Sequence, residues 1–284
     1  MNALVMRDTR DGPGHLSALT TSRWVTAAGL FLLLIVVLAV MGQVISPAYG
    51  GNDYQMGAQH PGMTWRFLLG SDVTGRPILQ YIISGARTTF GVGVLAAAIA
   101  LVLGGLVEAG RRSSMAWLAA ILGFVVDLGL MVPFLPLLLI LGGFVTGGNA
   151  WALAGVFGLI GVPLAAILLG QPPSTHSSSP GPAFDLIGCV PITVPARAIR
   201  AFTLLAICFV SASATVDFLG FGVAASNPSW GNALTDVINY LGAGYWWWLL
   251  FPGLTLFLTL IALATVGKAL ILAYEPTSSG RAAA

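Results

Sequence analysis

Residues 88–109 read TTFGVGVLAAAIALVLGGLVEA, with no charge before Glu108. Wound into a helix at about 1.5 Å per residue, a run of roughly 20 apolar residues matches the hydrocarbon core of a bilayer, about 30 Å thick. Five further stretches read the same way: Trp24 to Ser46, Met115 to Gly143, Ala150 to Gly170, Ile199 to Phe221 and Trp246 to Leu272. The chain is 57% hydrophobic and only 8% charged, so its helices are built to meet lipid and each other. The fold class expected is all-α integral membrane with six transmembrane helices.

An even number of spans returns the chain to the side it left. Arg7, Arg10, Arg23, Arg111, Arg112, Arg197, Arg200, Lys268 and Arg281 fall on one side, and Arg66, Arg76 and Arg87 on the other. The positive-inside rule then puts both termini in the cytoplasm. The expected organisation is a cytoplasmic tail (1–23), a transmembrane unit (24–272) and a C-terminal cytoplasmic tail (273–284). Outer loops cover 47–87 and 222–245, and a cytoplasmic loop covers 171–198. The first span exceeds a signal-peptide core of about 7–15 residues and is preceded by Arg23, so it reads as an uncleaved anchor. Trp24, Trp65, Trp117, Trp151 and the run Trp246, Trp247, Trp248 sit near span ends, as an aromatic belt would.

Within the spans the features concern packing. Gly155, Gly158 and Gly161 stand three apart in GVFGLIG, and Gly104 precedes GLVEAG; small residues at such spacing let helix backbones approach. Pro133 and Pro136 remove backbone donors and kink the third span, as a gate or as a plain bend. Three acids lie in or at the spans. Glu108 is close enough to Arg111 and Arg112 to pair at the cytoplasmic end. Asp127 and Asp217 are costlier, since an acid at the bilayer centre is penalised by about 2.5–3.5 kcal/mol, so both are expected to face the bundle interior, as packing groups or as lining of a solute path.

Other classes of function lack their residues. His15, His60 and His176 lie in the tail, an outer loop and the inner loop, so none share a span at metal-ligand spacing. No nucleophile–base set, carboxylate pair or phosphate-cradling glycine loop occurs at membrane depth. The net charge of +2 comes with no basic stripe for nucleic acid. Cys189 and Cys208 fall in the cytoplasm and the membrane and are expected to stay unpaired.

Two loops carry a family resemblance. LLGSDVTGRPILQYIISGARTTF (Leu68 to Phe90) resembles the segment before the second span in permease subunits of the dipeptide, oligopeptide and nickel ATP-binding cassette importers. FLGFGVAASNPSWGNAL (Phe218 to Leu234) and the following WLLFPGLTLFLTLIALATVGKALILAYEP resemble the same family's fifth-to-sixth connection and last helix. The residues shared there include Gly220, Gly222, Pro228, Ser229, Trp230, Gly231, Asn232, Phe251, Pro252, Gly253 and Glu275-Pro276. The subunit type most resembled is the second, C-type, permease. Three positions depart from the pattern: Pro77 and Ser213 stand where the family usually has acids, and Asp217 where it has a small neutral residue.

The resemblance implies a type I importer permease in a bacterial inner membrane, forming half of a translocation pathway for peptides, nickel chelates or a haem-like solute. It implies no cofactor and no enzymatic activity on this chain, with ATP and Mg bound by partner ATPase subunits. It also implies a homologous second permease and an extracytoplasmic substrate-binding protein that docks on the outer loops, with Asp72, Arg76, Pro228, Trp230 and Asn232 as docking candidates. The alternatives are a degenerate permease with a structural role and a membrane scaffold outside transport.

The inner loop contains GQPPSTHSSSPGP (Gly170 to Pro182), a wet interruption that neither buries apolar area nor sustains a helix. In the family resembled, this loop carries a short helix that inserts into an ATPase groove, marked by Glu-Ala-Ala, three variable residues and Gly. Here PAFDLIG keeps Ala183 and Gly188 but has Pro182 and Phe184 in place of the Glu and second Ala. The expectation is a weakened coupling helix over Ala183 to Cys189, with Phe184 as apolar anchor and Asp185 at its rim, on a Ser/Pro tether. The bland reading is a solvated loop.

Overall fold

The computed structural model describes residues 14–45, 57–63, 67–145, 147–170, 194–224, 227–235 and 237–274. Among them the chain is helical, with no strand beyond a single bridge between Ser71 and Pro77. Its helices are α1 (Gly14–Ile45), α2 (Ile78–Arg111), α3 (Ala116–Met131), α4 (Phe134–Val145), α5 (Ala150–Ile160), α6 (Val162–Gly170), α7 (Val194–Phe218), α8 (Trp230–Thr235), α9 (Val237–Tyr240) and α10 (Trp246–Tyr274). Four of these, α1, α2, α7 and α10, are long and apolar enough to cross a membrane, and the count becomes six if each bent pair, α3–α4 and α5–α6, is one span.

Helix α2 is the axis of the bundle, touching α1, α3, α5, α6, α7, α8 and α10. Its composition explains this. Ala86, Ala96, Ala97 and Ala100 are completely buried, and so short a surface lets several helices close on one. The main core joins Ala96, Ala97 and Ala100 to Leu138 of α4, Leu153 and Phe157 of α5, Ala165 of α6, and Leu205 and Phe209 of α7. A Cβ on Gly158 would lie 2.7 Å from Ile99, and one on Gly104 2.9 Å from the backbone of Ala166, so both glycines mark close helix contacts. Gly161 abuts the Phe209 ring in the same way, whereas a Cβ on Gly155 would meet nothing within 4 Å among the described residues.

Several element boundaries differ from expectation. Helix α2 begins at Ile78, ten residues before Thr88, because Pro77 at the position before it takes an extended conformation compatible with a helix start. At 34 residues it is about 50 Å long, longer than a hydrocarbon core is thick, and residues 78–87 form its N-terminal turns and not a loop. The third span breaks outright. Val132, held extended by the following proline, ends α3, and α4 leaves at 87°. Pro136 falls in the first turn of α4, where its missing donor is harmless. The fourth span bends by 46° at Gly161, two residues before Pro163.

The aromatic belt is also partly corrected. Trp24, Trp117, Trp151 and Trp246 are exposed, but Trp247 and Trp248 are buried. Trp247 donates from Nε1 to the Ser71 carbonyl (3.2 Å), and Trp248 stacks on Tyr240 with ring centroids 5.5 Å apart.

Candidate functional site

The two loops that carry the resemblance meet at the N-terminal end of α2. In the first, Asp72 Oδ1 accepts from Thr74 N (2.8 Å), Thr74 Oγ1 (2.7 Å) and Arg76 N (2.8 Å), an aspartate turn closed by Gly75 at φ +75°. The Gly70 carbonyl accepts from Ile78 N (3.0 Å) and so joins this turn to the first residue of α2. Nearby, Ser71 Oγ accepts from Gln59 N (2.7 Å).

In the second loop the anchor is Trp230, which is completely buried. Its indole Nε1 donates to the Ile82 carbonyl (2.9 Å) and its backbone N to Thr89 Oγ1 (2.9 Å), while Thr88 Oγ1 donates to the Pro228 carbonyl. Ser229 precedes α8 and caps it, accepting from Asn232 N (3.0 Å). The Asn232 amide donates to the carbonyls of Val223 and Ala224 (3.4 Å each) and Asn227 (3.2 Å). The proposed docking residues are thereby corrected in part. Trp230 and Asp72 are buried and spend their polar atoms holding the loops, so neither presents a face to a partner. Pro228, Asn232 and Arg76 remain half-buried.

Asp217 closes the last turn of α7 and is completely buried. Its Oδ1 accepts from Val223 N (2.9 Å), and the Ser229 hydroxyl lies beside the carboxylate. Among the described residues Oδ2 has no hydrogen-bond partner, and neither has the buried Ser213 Oγ one turn earlier. Two glycines make the room: a Cβ on Gly222 would overlap Oδ1, and one on Gly231 would stand 2.6 Å from Asp217 Cβ. Beside the carboxylate lies a cavity of about 400 Å³, walled also by Asp72, Arg76, Tyr81, Asn232 and Trp248. The backbone of the α4–α5 turn completes it, tied on by Ala224 N donating to the Gly148 carbonyl (3.2 Å).

The other two acids sit elsewhere. Glu108 pairs with Arg112 Nε (2.7 Å) and Arg111 (3.3 Å), and Arg112 also donates to the Leu169 carbonyl (3.4 Å), capping the end of α6. Asp127 is exposed on α3, which buries only Val126, so the expectation that it faces this chain's own interior is overturned. The coupling residues Ala183, Phe184, Asp185 and Gly188 lie outside the described residues, as does Cys189. Cys208 is a free thiol. The pairing of Glu108 with Arg111 and Arg112 is as expected, whereas Thr88 and Thr89 as structural donor and acceptor are not foreseen in the sequence. A hydroxyl pair beside an overhanging helix end was the available signal.

No family model matches the chain. It is 29% identical over 261 residues to the di/tripeptide transport system permease protein DppC of Pseudomonas aeruginosa, covering 87% of this chain and 86% of the relative. The dipeptide transport system permease protein DppC of Bacillus subtilis is 28% identical over 263 residues (88% and 81% covered), and that of Escherichia coli K12 27% over 262 (87% of each).

Proposed function

We infer that this chain, which belongs to the permease family of the dipeptide, oligopeptide and nickel ATP-binding cassette importers, forms half of a path along which a peptide or similarly small solute crosses the bacterial inner membrane. The observation that carries this reading is the similarity to named peptide permeases over 87% of the chain. It fits a multi-pass helical bundle whose outer end is built from the two loops that also carry the motif resemblance. On this reading the six spans run with both termini inside, ATP and Mg are handled by separate cytoplasmic ATPase subunits, and an extracytoplasmic binding protein delivers the solute. Alternating access then follows from rocking one permease against the other.

The exposed face of α3 supports a second, homologous permease as partner. A carboxylate facing lipid at mid-span is disfavoured by about 2.5–3.5 kcal/mol. Asp127 therefore belongs against another protein surface or the watery path between two permeases, with Asp217 at the outer end of the same assembly.

Affinity purification of the tagged chain from its native membrane tests the reading. An ATP-hydrolysing subunit and a second permease should come with it, and Phe184→Ala should loosen the ATPase or uncouple hydrolysis from uptake. A chain purifying with the second permease alone would support the degenerate structural role, for which the altered residues Pro182 and Phe184 speak. A chain purifying with neither would support a scaffold.

A further inference from the structure

We propose that the cavity beside Asp217 binds the protonated amino group of a small solute, with Asp217 Oδ2 as its counter-ion. The inference deepens the transport reading and rests on it only in expecting a solute at the outer mouth.

The carboxylate is completely buried, yet only Oδ1 has a backbone partner. A buried oxygen left without a donor is unfavourable, and an ionised one without a cation more so. Among the described residues no hydrogen bond reaches Oδ2, with the Ser229 hydroxyl the nearest side-chain partner of the carboxyl group, and Asp217 lines a cavity of about 400 Å³. That volume lies within the range of small-molecule sites and admits a solute of dipeptide size. An ammonium group brings up to three donors and the compensating charge at once.

The rest of the wall narrows the class. Asp72 Oδ1 is committed to its own turn, whereas Asp217 Oδ2 is the buried carboxylate oxygen on this wall with no hydrogen-bond partner among the described residues. Arg76 adds positive charge to the same cavity, and Tyr81, Asn232 and Trp248 add polar and aromatic surface. Charges of both signs around one space suit a zwitterion better than a bare cation. The bare backbone at Gly222 and Gly231 is what allows an aspartate at this turn, since a side chain at either would collide with it.

The full chain in lipid nanodiscs, titrated calorimetrically, tests this with two probes, Ala-Ala and N-acetyl-Ala-Ala. The expected result is at least tenfold tighter binding of the free-amine dipeptide, falling in Asp217→Asn to the level of the acetylated one. Asparagine keeps an acceptor for Val223 N, so the loop is preserved while the charge is removed. Equal affinity for the two probes, binding of neither, or an undiminished preference in Asp217→Asn overturns the proposal. Should the variant fail to fold, carbodiimide labelling of the wild-type chain replaces it: Ala-Ala should protect Asp217 and N-acetyl-Ala-Ala should not, and labelling indifferent to both overturns the proposal. A chain that recruits an ATPase but shows no amine preference refutes this site alone; amine preference without an ATPase refutes the transport reading alone.

Discussion

Trp230 shows how far a side chain's role depends on what meets it. In sequence it stands in a loop of Gly, Pro and Asn, where an indole reads as an anchor at the membrane surface. In the fold it fills the space beside Gly85, whose hypothetical Cβ would lie 2.9 Å from the ring. Removing it in Trp230→Ala should destabilise the chain by about 3–5 kcal/mol, read as a lower melting temperature in detergent. Trp230→Phe, which loses chiefly the hydrogen bond to Ile82, should be affected less, by about 1–3 kcal/mol. The turn at Asp72 rests on Asp, Thr and Gly within five residues that satisfy one another locally, although in sequence Asp72 reads as a docking candidate. The burial of Trp230 was not legible, because its partners come from a helix some 140 residues earlier. Asp127 has the reverse history, since the penalty for an acid at mid-span is readable from sequence but the direction it faces is not. If it meets a second subunit, Asp127→Asn should keep more assembled complex than Asp127→Leu, measured as co-purified partner, because the amide retains hydrogen bonds. Equal losses would remove that role.

At the level of helices, two of the proline-bearing spans separate a bend from a break. The sequence reading saw a kink at Pro133 and none at Gly161. Both spans are in fact bent, by 87° and 46°. A proline directly after the last helical residues forces the preceding residue out of the helical region, and Val132 complies. Pro163 sits two residues beyond a flexible glycine and lets the chain re-enter a helix at once. If the prolines cause the larger break, Pro133→Ala with Pro136→Ala should straighten α3 and α4 into one rod. Spin labels at Leu118 and Leu141 would then separate toward about 35 Å, the length of 23 helical residues. An unchanged distance would mean that the packing of α4 on α5 and α7 holds the angle by itself.

For the molecule as a whole, the hydrophobic spans were readable because each is set by local composition and bilayer thickness. The bundle's arrangement around α2 was not, since its contacts join residues far apart in the chain. The inside-out orientation is open to direct test: a cysteine at Asn227 should react with an impermeant maleimide from the outer face, and one at Ser114 from the inner. The Trp230 wedge also imposes a timetable on synthesis. Ile82 and Trp230 are 148 residues apart, and at about 5–20 residues per second a ribosome takes about 7–30 s to cover that distance. Throughout that interval α2 has been made while the space beside its Gly85 is still unfilled. The N-terminal end of α2 therefore reaches its final packing only after α8 has been made.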